Sequence, residues 1–312
     1  MFELRFYLKN NQSYDYQSVE RFLLNINHVT KSEEVEKTAD YTIHRFNYFN
    51  ERTGVQATFS NWELESDRKM HIKTDNLLIF PGFTETPMRF MLEFNKPSFF
   101  AREIMPIISK LNLEFEFYIF DVQNKDSKEP MIQHSGQLIE SWVKSNQKYT
   151  TTNIQGHSQN ISLRGDLADN WWEYMVKLDE FRNISPESVF IPEMIILQHK
   201  KTGELYRAVT WADFMPIALP TCEKVAIIQT QGLYKIKLKD LGIYDCSELL
   251  NAFAPYFSDY ELYNRKFNVL SIENSENHNE DFAELLKNLK LHKSRKFKVL
   301  NSDDLQNIKI IC

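Results

Sequence analysis

The chain has 312 residues, and its 37 basic and 43 acidic residues give a formal net charge of −6. A hydrophobic fraction of 42% with 26% charged residues is typical of a folded globular protein and excludes a disordered chain. The acidic balance excludes a general electrostatic attraction to nucleic acid or to anionic membranes. At roughly 150 residues per domain, the length predicts two domains.

Glycine is scarce, with 8 residues in the whole chain, and no two glycines fall within a stretch of six residues. Dinucleotide-binding loops, phosphate-binding P-loops, kinase glycine-rich loops and the GxSxG elbow of serine hydrolases all need two or more glycines that close together. The sequence therefore excludes these classes of nucleotide-binding protein and hydrolase.

The N-terminal segment, MFELRFYLKNN, lacks the basic start and the apolar core of a secretion signal. The longest apolar run, Phe214 to Pro220, is far shorter than the roughly 18 residues of a membrane-spanning helix. Cysteines stand at positions 222, 246 and 312 without a CxxC pair, which disfavours disulfide scaffolds and zinc knuckles. We therefore expect a soluble, cytoplasmic protein that does not associate with membranes.

The first half of the chain predicts a sheet with few helices. Residues 2–8 alternate apolar and polar side chains as a half-buried strand does, and an apolar stripe over 16–27 predicts a helix. Two strand-like segments, 41–49 and 55–61, flank a turn that ends at Gly54 and predict a hairpin. Further strands are predicted over 77–80, 88–94 and 113–119. A helix is predicted to begin at Pro97 and Ser98, between the last two of these strands.

The middle of the chain is polar from residue 148 to residue 165, and we place the domain boundary there. The expected organisation is an N-terminal α+β lobe over 1–147, a polar connector over 148–165 and a C-terminal α+β lobe over 166–312. The second lobe is predicted to contain a helix over 167–181, a hairpin over 193–211 and a helix over 279–290. The predicted fold class is α+β, with two lobes of mixed or antiparallel sheet, β-hairpins and a few packed helices.

Three features qualify as catalytic candidates. Glu114 and Glu116 lie on one side of the predicted strand, which would separate two carboxylates by roughly 6 to 7 Å, as acid/base chemistry requires. His157 stands in the polar connector, and Cys222 follows a proline at the start of a strand. Each candidate has a simpler interpretation. The glutamates fit a solvated strand face, His157 fits a surface histidine in a linker, and Cys222 fits a buried inert thiol.

Binding candidates lie in the second half. Lys290, Lys293 and Lys296 belong to a basic segment that suits phosphates or an acidic partner surface, although cations at a helix C-terminus also stabilise the helix dipole. Trp172 and Trp211 are candidate anchors for a partner protein, with burial as the alternative. No two of the 8 histidines have the spacing of metal ligands, so we expect neither a metal nor a cofactor.

These observations favour a non-enzymatic protein-binding module, such as a bacterial immunity or antagonist protein that acts by binding a partner protein. The alternative is an enzyme whose active site is dispersed over the cleft between the two lobes. Binding of phosphate-rich ligands by the basic segment is a third hypothesis, and nucleic acid is disfavoured as a partner because the segment offers only Phe297 for base stacking.

Overall fold

The computed structural model describes residues 1–38, 41–64, 78–124, 127–153, 161–163, 165–185, 189–231, 237–300 and 305–307. The chain forms two compact units, one of Met1–Gly165 with Ser302–Cys312 and the other of Asp166–Asn301. The terminal residues 302–312 group with the first unit, whereas the sequence prediction assigned them to the second.

A seven-stranded antiparallel sheet forms the centre of the first unit. Its strands are β1 (Phe2–Lys9), β2 (Val29–Lys31), β3 (Glu36–Lys37), β4 (Tyr41–Asn50), β5 (Val55–Leu64), β6 (Phe83–Leu92) and β7 (Tyr118–Asp121). The order is β2-β4-β5-β6-β1-β7, and β3 also pairs with β4. In β1, the apolar side chains predicted to face the core are indeed buried.

Helices cover this sheet and fill its core. They are α1 (Tyr16–Leu24), α2 (Phe99–Phe115) and α3 (Ser135–Asn153). Asp15 caps α1 by accepting hydrogen bonds from the backbone N–H groups of Gln17 and Ser18. A short strand, β8 (Ile161–Leu163), pairs in parallel with the terminal strand β17 (Leu305–Asn307).

The predicted strand over 113–119 is wrong except at its last two residues, because β7 begins at Tyr118. The helix α2 continues to Phe115, and Glu116 then ends it in the left-handed conformation with φ of 55°. Leu111 is fully buried, whereas Leu113, which the strand pattern assigned to the core, is 69% exposed. The buried apolar positions therefore follow the helical period of 3.6 residues. The short segment fits this period and the strand period of two equally well, and packing of the buried side of α2 decides between them.

The second unit contains two further sheets. Five strands follow the order β13-β12-β10-β9-β16, in which β10 and β12 are parallel and all other neighbours are antiparallel. They are β9 (Met194–His199), β10 (Leu205–Ala212), β12 (Lys224–Gln231), β13 (Lys237–Asp245) and β16 (Phe297–Leu300). A three-stranded antiparallel sheet follows the order β11-β15-β14, with β11 (Ile217–Pro220), β14 (Phe257–Leu262) and β15 (Arg265–Leu270).

The helices of the second unit are α4 (Gly165–Val176), α5 (Leu178–Ile184), α6 (Cys246–Ala252) and α7 (Ile272–Lys287). The single helix predicted over 167–181 is thus two helices, and α7 begins well before the predicted position because Ser271 caps it. The α+β fold class is confirmed. Within the described residues, no helix is both long and apolar enough to span a membrane.

Candidate functional site

The carboxylates of Glu114 and Glu116 do not form the predicted pair on a strand. Glu114 lies in the last turn of α2 and Glu116 follows that helix, and both side chains are exposed. Glu116 accepts a hydrogen bond from the side-chain amide of Gln12. The two carboxylates therefore do not lie on one face of a strand, which was the arrangement expected for acid/base chemistry. His157 lies outside the described residues.

The tryptophan candidates differ in burial. Trp211 is fully buried among the rings of Phe214, Phe253 and Phe257, and its indole N–H donates to the backbone oxygen of Met215 at 2.9 Å. It is a core residue, which matches the alternative of burial rather than an exposed anchor. Trp172, on α4, is half-buried.

The basic segment is exposed, as a binding surface requires. The side chains of Lys290, Lys293 and Lys296 all reach solvent, while Phe297 beside them is buried. After α7, the chain crosses to the five-stranded sheet through a 3₁₀ turn, Ser294–Lys296, and enters the edge strand β16. Pairing of β16 with β9 therefore fixes where the cations lie.

This pairing brings a second pair of lysines to the segment. The backbone N–H of Lys200 donates to the backbone oxygen of Lys296 at 2.8 Å, so the turn of the β9-β10 hairpin lies beside the 3₁₀ turn. Lys200 and Lys201 in that turn are both exposed. We define the basic cluster as Lys200, Lys201, Lys293, Arg295 and Lys296. Within the described residues, none of these five side chains forms an ion pair.

Two acidic side chains on the same sheet are already engaged by other groups. Glu204 accepts hydrogen bonds from the hydroxyls of Tyr206, at 2.6 Å, and Thr202, at 3.1 Å. The carboxylate of Asp245 pairs with Lys224 and with His292. Neither acid forms an ion pair with the basic cluster.

The contacts of Asp245 hold the basic segment in place. One carboxylate oxygen pairs with the buried ammonium of Lys224, and the other lies 3.0 Å from Nε2 of His292. Backbone hydrogen bonds in both directions, each 2.9 Å, join His292 to Ile243 of β13. Burial acts to raise the pKa of Asp245, but the hydrogen bonds from Lys224 and His292 outweigh it and lower that pKa. His292 directly precedes Lys293, so this network positions the cluster.

Gly242 permits this close approach. Its φ is +110°, which L side chains rarely adopt, and a Cβ there would overlap Cδ1 of Leu291 unless that side chain moved. Glycine therefore suits the point at which the segment before His292 packs against β13.

Cys222 lies two residues before β12 and beside Cys246, the first residue of α6. Its thiol donates a hydrogen bond to the backbone oxygen of Lys224 at 3.4 Å. The sequence prediction treated Cys222 as a single thiol and did not connect it with Cys246. No three described His, Cys, Asp or Glu side chains form a group that could hold a metal ion.

Each unit also contains a cavity. One of about 610 Å³ lies on the sheet of the first unit, beside Arg45, Gln56 and Glu93, and one of about 110 Å³ lies in the second unit, beside Ile191 and Val269. Neither cavity is lined by the carboxylate, thiol or lysine candidates.

The charge pattern of the sequence indicates one side of the basic cluster but not Lys200 and Lys201, which are close to it only because β9 pairs with β16. The consecutive lysines in a hairpin turn were the available signal. No protein-family model matches the chain, and neither a curated protein nor a solved structure is similar enough to it to count as a match.

Proposed function

We propose that the protein is a binding module that docks an acidic segment of another protein on the basic cluster. The observation that carries the proposal is the convergence of five exposed cations from two separate turns without ion-pair partners in the described structure. Like charges held close together repel one another, and an anionic ligand relieves that repulsion. The proposed location is the cytoplasm, on the cysteine usage described above.

Electrostatics alone makes such a site modest and dependent on salt. An exposed ion pair contributes about 0 to 1 kcal/mol, so five cations support a few kcal/mol in total. The basic cluster would therefore mainly orient the partner and speed its association, with affinity completed by other contacts.

A polypeptide suits this surface better than a nucleic acid does. Among the described strands, β16 pairs only with β9, so it forms the outer edge of the sheet, where an extended segment adds as a further strand. The phenylalanine within the basic segment, Phe297, is 7% exposed, so its ring offers no platform for base stacking.

The test measures binding of a fluorescent decaglutamate peptide by anisotropy, at low salt and at physiological salt. The cluster variant carries Lys200→Glu, Lys293→Glu and Lys296→Glu. The control variant carries Lys37→Glu, Lys177→Glu and Lys266→Glu, which replaces three exposed lysines elsewhere and changes the net charge equally. We expect the cluster variant to lose affinity at least about tenfold and the control less than about threefold.

Absence of decaglutamate binding to the wild-type protein at low salt would overturn the proposal, as would an equal loss in both variants. Decathymidylate, an oligonucleotide of similar charge, is the competing probe. Tighter binding of decathymidylate than of decaglutamate would assign the basic cluster to nucleic acid instead.

An immunity or antagonist role is a narrower form of this proposal. It requires that the acidic partner be a toxin or an effector. A toxin gene adjacent to the gene of this protein, and a toxin that loses activity when the two proteins are mixed, would support that role. A toxin that stays fully active in the mixture would count against it.

A further inference from the structure

Two thiols meet where β12 begins and β13 ends. The pairing of these strands sets Lys224 opposite Asp245, and the backbone N–H of Cys246 donates to the backbone oxygen of Glu223 at 3.0 Å. Cys222 and Cys246 therefore lie on neighbouring chain segments that a hydrogen-bonded register holds together.

The side chains of Cys222 and Cys246 lie within hydrogen-bonding reach of each other. The thiol of Cys222 also donates a hydrogen bond to the backbone oxygen of Lys224 at 3.4 Å. A disulfide needs Cα atoms roughly 4.4 to 6.8 Å apart. The pairing of Lys224 with Asp245 and the hydrogen bond between Cys246 and Glu223 hold the two segments at the spacing of paired strands, about 4.5 to 5.5 Å between Cα atoms. Both cysteines are free thiols.

The surroundings distinguish the two sulfurs. The hydrogen bond from Cys222 lowers the pKa of Cys246, although burial acts to raise it, and the same hydrogen bond together with burial raises the pKa of Cys222. The neighbouring charges are those of Glu223, which Arg207 neutralises in a bidentate ion pair, and of Asp245. Cys222 is half-buried and Cys246 is 3% exposed, so the pair reaches solvent through Cys222.

We propose that Cys222 and Cys246 are a site of reversible oxidation, at which a hydroperoxide converts the two thiols into an intramolecular disulfide. The oxidation goes beyond the proposed binding function and does not depend on it.

The chemistry proceeds in two steps. The thiolate of one cysteine attacks one oxygen of hydrogen peroxide, the O–O bond breaks, an S–O bond forms and the released hydroxide takes up a proton to leave as water. The thiol of the other cysteine then loses its proton and attacks the sulfenic sulfur, so that the S–S bond forms and a second water leaves. In total two thiols and one peroxide give one disulfide and two waters, and an external dithiol reverses the reaction by exchange.

The test treats the reduced full-length chain with graded hydrogen peroxide under native conditions, then unfolds it and alkylates the remaining thiols. We expect the number of alkylated cysteines to fall from three to one, since the chain has 3 cysteines. Peptide mapping should find Cys222 linked to Cys246, and dithiothreitol should restore all three thiols. The Cys312→Ser control should lose both of its thiols and form the same link.

Removal of either partner gives the opposite result. Cys222→Ser and Cys246→Ser should each form no intramolecular link under the same treatment. Oxidation of the wild-type chain in denaturant should give several disulfide pairings, some of which include Cys312. The native chain should give a single pairing, Cys222 with Cys246. The wild-type map does not require a variant to fold.

Three results would overturn the assignment. They are full alkylation of all three cysteines at peroxide concentrations that oxidise free cysteine, a link in the native chain that involves Cys312, and disulfides that form only between chains.

Discussion

Replacement of Glu103 by alanine is expected to destabilise the first unit strongly. Three side chains donate hydrogen bonds to one oxygen of this carboxylate, namely Tyr48 at 2.7 Å, Asn50 at 2.8 Å and Thr53 at 3.0 Å. These donors flank or occupy the turn between β4 and β5, and Glu103 belongs to α2. The carboxylate therefore joins the long hairpin to the helix that covers it.

The magnitude follows from what the donors lose. Thr53 is fully buried and Tyr48 is 5% exposed, so water does not readily replace the missing acceptor. An unsatisfied buried donor costs about 1 to 3 kcal/mol. The three hydrogen bonds share one oxygen, so their contributions do not add fully. We therefore expect Glu103→Ala to lower the free energy of unfolding by about 2 to 4 kcal/mol. Glu103→Gln keeps a neutral acceptor and should cost about half as much. Burial and the nearby carboxylate raise the pKa of Tyr48, so its hydroxyl remains a donor at alkaline pH.

Urea unfolding followed by circular dichroism measures the loss, and amide hydrogen exchange over residues 48–55 locates it in the first of the two units. Glu114→Ala is the matched control, because Glu114 is an exposed glutamate on the same helix, and its effect should stay within about 0.5 kcal/mol. If Glu103→Ala and Glu114→Ala destabilise equally, or if exchange at the β4-β5 turn is unchanged, the carboxylate does not hold the hairpin.

The remaining predictions concern the network beneath the basic cluster. Asp245→Asn should cost about 2 to 4 kcal/mol because it leaves the ammonium of Lys224 buried without its counter-ion, whereas Lys224→Met removes the charge as well and should cost less than about 1.5 kcal/mol. The folded-state pKa of Asp245 is lowered, so its contribution to stability is present above the ordinary pKa of 3.8 and is lost as the pH falls through the lowered value. Urea unfolding at a series of acidic pH values should show this loss in the wild type and not in Asp245→Asn. Identical pH profiles of the two proteins would contradict the prediction. Gly242→Ala should destabilise the second unit by about 1 to 3 kcal/mol, because alanine clashes with Leu291 and is strained at this positive φ. Adding Leu291→Ala should relieve the clash but not the strain. A thermal unfolding midpoint of Gly242→Ala equal to that of the wild type would refute the need for glycine.

The two hairpins were predictable because local chemistry determines them. Each predicted turn ends in a glycine that the structure places at positive φ, 66° at Gly54 and 77° at Gly203, and alternating side chains define the strands on both sides. Turn and strand patterns agree there, so neither needs information from distant residues.

The segment after α2 was less predictable, because its pattern fits two structures. Leu113, Phe115 and Phe117 alternate as a strand requires, yet Leu111 and Phe115 are also one helical turn apart. In the structure Phe115 packs against Phe22 of α1 and against Phe117. The ring of Phe22 comes from a distant part of the chain, and a local pattern cannot contain it.

The candidate site shows the same limit for side-chain clusters. The charge run that includes Lys293 and Lys296 is visible in the sequence, whereas its neighbours Lys200 and Lys201 look like ordinary residues of a polar turn. Cys222 and Cys246 are likewise joined only by the register of β12 with β13. Sequence reasoning identifies residues with the right chemistry but not the distant residues that complete their sites.

Net charge is a poor guide to what such a site binds. The value of −6 sums charges over the whole chain, but at physiological ionic strength a charge is screened over about 8 Å. A ligand in contact with the basic cluster therefore responds to the cations within that distance far more than to acids elsewhere on the surface. Composition predicts whether the protein repels a polyanion at long range, and the pairing of β9 with β16 determines the sign of the field that a docked segment meets.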